Sequence, residues 1–139
     1  QYAPPVLQRN PEFLGIVAAA IKQESGNDPR AHGDQDPQTG EYLSWGLFQM
    51  HSRGAGSGMT PAERVDVHRA AQVMVPQFAQ KFLEVKSRRP DLAGAFLASQ
   101  VIREVERPLG YEDPNGQAAL AYMRAWRSII TGNAATAAA

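Results

Sequence analysis

Residues 10–26, NPEFLGIVAAAIKQESG, decide how the rest of the chain is read. Asn10, Pro11 and Glu12 make a helix start: a capping side chain, a proline where no amide hydrogen is needed, and an acid in the first turn. Gly26 supplies the stop. Phe13, Val17 and Ala20 recur at helical spacing, and the next step along that apolar face is Glu24. A carboxylate therefore closes the core-facing stripe in the last turn, where the helix dipole is negative. Partial burial and the dipole both favour the neutral acid, so the pKa of Glu24 is expected to be raised, as a general acid requires. The competing possibility is a helix-end glutamate that bends into solvent.

Downstream, residues 27–44 are rich in Asp, Pro, Gly and Gln and predict a long loop or small hairpin, with Glu41, Tyr42 and Leu43 its strand-like hint. An apolar turn follows at Gly46-Leu47-Phe48-Gln49-Met50, then a flexible connection at residues 53–58. Thr60-Pro61-Ala62-Glu63 has the capping-box pattern and opens a long helical stretch that Pro76 is expected to kink or split. A further helix is predicted over 91–105, with Leu92, Phe96, Ile102 and Val105 on its buried stripe. A last helix, over 117–130, aligns Ala119, Tyr122, Trp126 and Ile129. The expected fold is mainly α, with a small irregular or β-hairpin insertion after the first long helix. Residues 1–131 are read as one domain and 132–139 as a disordered tail or linker stub.

Composition narrows the function classes. The 139 residues are 43% hydrophobic and 20% charged with a formal net charge of +0, an ordinary globular balance that argues against a polybasic nucleic-acid binder. There is no cysteine, which removes disulfides, thiolate metal sites and cysteine nucleophiles. No apolar run approaches the length of a membrane span, so no membrane insertion is expected. The start at Gln1, without a visible signal peptide, suggests part of a larger polypeptide. His32, His51 and His68 show no metal-ligand spacing, no phosphate loop follows a strand, and no nucleophile elbow is present. Neither metal nor cofactor is expected.

Glu24-Ser25-Gly26 followed by Ser44-Trp45-Gly46-Leu47-Phe48-Gln49-Met50 resembles the lytic transglycosylase and goose-type lysozyme superfamily. There a glutamate at a helix end, usually followed by Ser or Thr, precedes a Gly-Leu-Met-Gln-like turn that lines a sugar cleft; Phe48 stands here where Met is usual. The resemblance is strong over residues 13–51 and only topological elsewhere. It implies a lysozyme-like helical domain that cleaves the β-1,4 bond between N-acetylmuramic acid and N-acetylglucosamine in peptidoglycan glycan strands, with Glu24 as acid/base. The expected location is the extracellular or periplasmic cell wall, or a virion.

The family's third motif is an Ala-Tyr-Asn-like turn whose tyrosine faces the glutamate. The nearest match is Ala121-Tyr122, with Met123 in place of Asn, inside a predicted helix. Tyr122 is thus either an orienting or sugar-binding group or a core tyrosine beside Trp126. Glu106-Arg107-Pro108 is similar to a pattern in phage-encoded versions of the domain, and Glu106 is read as structural, paired with Arg107 or Arg103.

Inverting hydrolysis needs a second carboxylate roughly 6.5–9.5 Å from the acid. Asp34 and Asp36 are the candidates, and Gly33-Asp34 is similar to the goose-type enzymes, where an aspartate in this loop is implicated in activating water. Those enzymes also carry an aspartate after the glutamine turn, where this chain has His51. Both aspartates could equally cap their own turns. As the resemblance implies, lytic transglycosylases dispense with the second acid and produce 1,6-anhydro ends with help from the substrate's acetamido group. The transglycosylase is therefore favoured over the goose-type hydrolase. Ser25, Ser44 and Gln49 are candidate sugar-binding residues, and Tyr42 and Trp45 candidate stacking surfaces. The alternative of a different class is a non-catalytic cell-wall-binding or structural module of a phage tail.

Overall fold

The computed structural model describes residues 1–106 and 116–138. Five helices and one small sheet make up this part: α1 (Pro11–Ser25), β1 (His32–Gln35), β2 (Tyr42–Trp45), β3 (Met50–His51), α2 (Pro61–Val65), α3 (Val67–Arg88), α4 (Gly94–Glu106) and α5 (Gln117–Ala138). The fold is mainly helical with a three-stranded antiparallel sheet inserted after the first helix. No helix among the described residues is long and apolar enough to cross a membrane.

Helix α1 begins as its sequence requires. The Asn10 side chain accepts from the Phe13 amide at 3.0 Å, and Gly26, in the left-handed region at φ 62°, returns its amide to the Lys22 carbonyl at 2.9 Å. Phe13, Ile16, Ala19 and Ala20 are buried and Val17 packs beside them. Each large side chain so enclosed contributes about 1.5–3 kcal/mol. The buried face lies against α4 and α5, which also pack against each other, and α3 closes the core with Met74, Phe78, Phe82 and Val85.

Four local expectations are corrected. The helix opened by the Thr60 capping box ends after five residues, because Asp66 leaves helical geometry and caps α3 through the Arg69 amide at 2.9 Å. Pro76 does not split α3, which runs through it; buried Met74 and Phe78 on either side anchor both halves to one core. On α4, Phe96 is 63% exposed, and the buried stripe is instead Ala95, Ala98, Ile102 and Val105, joined by Leu97 and Val101. A helix that starts at Gly94 turns Phe96 outward. Finally, α5 does not end near Ile130 but continues as helix through Ala138.

The sheet has order β1-β2-β3, with Gly33 opposite Ser44 and Ser44 opposite His51. Arg64 ties it to the helices. Its side chain is buried and donates to the carbonyls of Leu43 at 2.9 Å and Met50 at 3.4 Å. Gly46, at φ 87°, lies so close to this latch that a Cβ there would stand 2.2 Å from the Arg64 carbonyl oxygen.

Candidate functional site

Three helices bring polar groups together at one end of the core. Glu24 is half-buried in the last turn of α1, and Tyr122, on the buried face of α5, donates its hydroxyl to Glu24 Oε1 at 2.5 Å. Of the two alternatives for Tyr122, the structure combines both: the ring belongs to the core and its hydroxyl holds the carboxylate. Ring packing fixes where the hydroxyl points, so the donor is held in place before any ligand arrives.

Glu106, the last residue of α4, is the third member. Although the residue as a whole is only partly buried, its Oε1 is shut off from water and has no hydrogen-bond partner among the described residues. Arg103 is not its counter-ion. That guanidinium goes to the Ser99 carbonyl and to Gln100 Oε1 at 3.4 and 3.0 Å, while Arg107 lies outside the described residues. Enclosure away from water, followed by the nearby charge of Glu24, holds the Glu106 carboxyl well above the usual carboxylate range. Glu24 also sits at a helix C-terminus, where the dipole opposes negative charge. The signal that exposed Glu24 in the sequence, a carboxylate closing an apolar stripe, was present for Glu106 after Val101, Ile102 and Val105.

The other candidates divide between the helix end and the sheet. Ser25 donates to the Ile21 carbonyl at 2.8 Å, so its hydroxyl proton is used inside α1. Buried Ser44 donates to Asp34 Oδ2 at 2.5 Å across the β1–β2 ladder. Asp34 is exposed and sits at φ 52°. Asp36 is a turn residue: its Oδ1 accepts from the Gln38 amide at 2.8 Å, and its carbonyl accepts from Gly40 at 2.8 Å. Gln49 spends its amide nitrogen on the carbonyls of Ala31 and Gly46, both at 3.0 Å, and so clamps the turn to the start of the sheet. Its backbone stands at φ 50°, which this double clamp holds.

His32, Tyr42 and Trp45 gather on the sheet, with ring centroids 3.9 Å apart for His32–Tyr42 and 5.2 Å for His32–Trp45. The Trp45 indole donates to the Tyr42 carbonyl at 2.9 Å, which leaves Tyr42 at the exposed edge of the cluster. The residue that sequence reasoning missed altogether is Arg64: it lies in a short helix whose charges all look solvent-facing, and nothing local signals its burial. Among the described residues no group of three His, Cys, Asp or Glu side chains could hold a metal ion.

A scan of family models, a search of curated proteins and a search of solved structures each found no match for this chain.

Proposed function

We propose that this chain is a peptidoglycan lytic transglycosylase with a lysozyme-like architecture, cleaving the β-1,4 bond between N-acetylmuramic acid and N-acetylglucosamine. The observation that carries the proposal is the 2.5 Å hydrogen bond from the Tyr122 hydroxyl to Glu24, which joins the ends of a relation 98 residues apart in the chain. A glutamate closing a helix and faced by a tyrosine distant in sequence is what the resemblance implies, although the family's tyrosine stands in a turn and Tyr122 stands on α5.

In this mechanism Glu24 gives its proton to the glycosidic oxygen as the bond to C1 breaks, and the substrate's acetamido oxygen stabilises C1. The resulting Glu24 carboxylate takes the proton of the muramyl 6-hydroxyl while O6 bonds to C1. The product is a 1,6-anhydro end, and Glu24 regains its proton. Tyr122 steadies the carboxylate in the interval when it is charged, since a hydroxyl donor favours the ionised form. No second carboxylate and no water are consumed, one of the exceptions to the paired-acid rule.

A goose-type hydrolase is the second reading, favoured by the exposed Asp34 carboxylate that Ser44 orients. Glycan strands of the cell wall are the partner in either case, and the domain acts at the cell wall or from a virion. Mass spectrometry of fragments released from purified peptidoglycan tests the proposal. Ends lighter than reducing ends by one water are expected, and ordinary reducing ends would move the assignment to the hydrolase. Release of nothing would leave a binding module.

A further inference from the structure

Aromatic side chains stabilise a fold chiefly by being buried, and two on the sheet do not contribute in that way. Neither Tyr42 nor Trp45 packs against the core formed by the described residues; together with His32 they pack on one another. The Tyr42 and Trp45 rings meet edge to face at 88° with centroids 6.1 Å apart, and His32 lies over Tyr42 at 3.9 Å with 35° between the planes. Tyr42 and His32 are exposed and Trp45 is half-buried. The rings are also held in place. The Trp45 indole donates to the Tyr42 carbonyl at 2.9 Å, and His32 stands opposite Trp45 in the β1–β2 register. The hairpin beneath them is braced by the Asp36 amide on the Glu41 carbonyl at 2.7 Å and by the Gln35 side chain on the Gly40 carbonyl at 2.9 Å. A surface ordered in advance loses little entropy when a ligand arrives.

We infer that the His32–Tyr42–Trp45 cluster is a binding platform for the pyranose rings of a β-1,4-linked, N-acetylated glycan. Such a ring has an apolar C–H face and a rim of hydroxyl and acetamido groups, and the cluster answers both. Tyr42 and His32 offer exposed ring surface to the C–H face. The Tyr42 hydroxyl and the His32 ring nitrogens form no hydrogen bond among the described residues, so they are unspent for the rim. On the same strand as His32, the exposed Asp34 carboxylate accepts from Ser44 and keeps further acceptor sites for sugar hydroxyls. An aliphatic partner would leave these polar tips without partners, and a partner recognised by charge alone would not need the rings. The platform holds sugar and takes no part in proton transfer. The inference deepens the proposed function and rests on it for the identity of the polymer: the substrate is a long strand, and grip on sugar units that do not react adds to its binding.

Titration of the protein with a soluble β-1,4-linked tetramer of N-acetylglucosamine, followed by NMR of the aromatic side chains, tests the platform without requiring any activity. The Tyr42, Trp45 and His32 ring signals should shift in a saturable way. Tyr42→Ala should weaken binding by about 3–10-fold, and Tyr42→Phe, which keeps the ring, should stay within about twofold of the unmodified protein. Because Tyr42 is exposed and outside the core, neither variant should lower the thermal midpoint enough to confuse loss of binding with loss of fold. Ring signals that ignore the tetramer, or equal affinity in Tyr42→Ala, would overturn the inference. So would ring signals that shift with protein concentration instead of with sugar, which would mark a contact between copies of the chain. In glycan release, Tyr42→Ala should raise KM by about 3–10-fold and leave kcat within about twofold, as loss of grip common to ground and transition states requires. If the tetramer binds to the rings while the unmodified protein releases nothing from peptidoglycan, the failure lies with the proposed cleavage and not with the platform.

Discussion

The helical end of the molecule and its sheet each contribute two carboxylates, and the two pairs live under different rules. Glu24 stands in the last turn of α1 with Tyr122 as its donor, whereas Glu106 Oε1 is enclosed with no donor among the described residues. Asp34 is exposed, and each sheet-side carboxylate meets a donor close by in the chain: Ser44 for Asp34, the Gln38 amide for Asp36. In the first pair, enclosure away from water holds the Glu106 carboxyl above the usual carboxylate range. In the second pair each hydrogen bond stabilises the loop that bears it. Identical functional groups thus meet different surroundings according to what covers them and which donors lie near.

The sharpest way to break this comparison is Glu24→Gln, which removes the proton and leaves the shape. Release of glycan fragments should fall by about 10²–10⁴-fold, followed by mass spectrometry of the soluble products; undiminished release would transfer the acid role elsewhere. Gly46→Ala strikes the sheet through its attachment rather than its chemistry. A Cβ 2.2 Å from the Arg64 carbonyl, on a residue at φ 87°, forces the β2–β3 turn off the Arg64 latch. A loss of about 2–4 kcal/mol is expected, read as a drop of roughly 10 °C in thermal midpoint.

Smaller effects sharpen the contrast. Tyr122→Phe keeps the buried ring but removes the donor to Glu24, and should slow cleavage by about 10–100-fold with little change in KM. A loss confined to KM would show that the hydroxyl serves glycan binding instead. Asp34→Asn should be the mildest of the four, because an amide oxygen can still accept from Ser44. Rates within about threefold of the unmodified protein and unchanged anhydro products are expected; a drop as large as that of Glu24→Gln would favour the hydrolase.

The sequence was most informative where local chemistry and packing agree. Asn10, Pro11 and Gly26 bound α1 as written, Thr60 and Glu63 form the capping box, and the strand-like hint at Glu41, Tyr42 and Leu43 overlaps β2. It misled where two local signals competed. Pro76 carries a strong breaking tendency, but Met74, Phe78 and Phe82 bury on one face and hold α3 continuous. Phe96 looks like a core residue by type, yet the phase of α4 is set by a start at Gly94, and smaller Ala95 and Ala98 fill the interior.

What the sequence by itself determined is the two ends of α1, the Thr60 capping box and the position of Glu24 on the core side of α1, because caps and spacing depend on neighbours a few residues apart. Only the tertiary structure decided that Tyr122 meets Glu24, that Glu106 Oε1 is enclosed with no partner among the described residues, and that Arg64 is buried against the sheet. Those facts depend on how α1, α4 and α5 pack and on which donors remain when water is excluded. Charge and enclosure are properties of the assembled corner, and no stretch of chain a few residues long contains them.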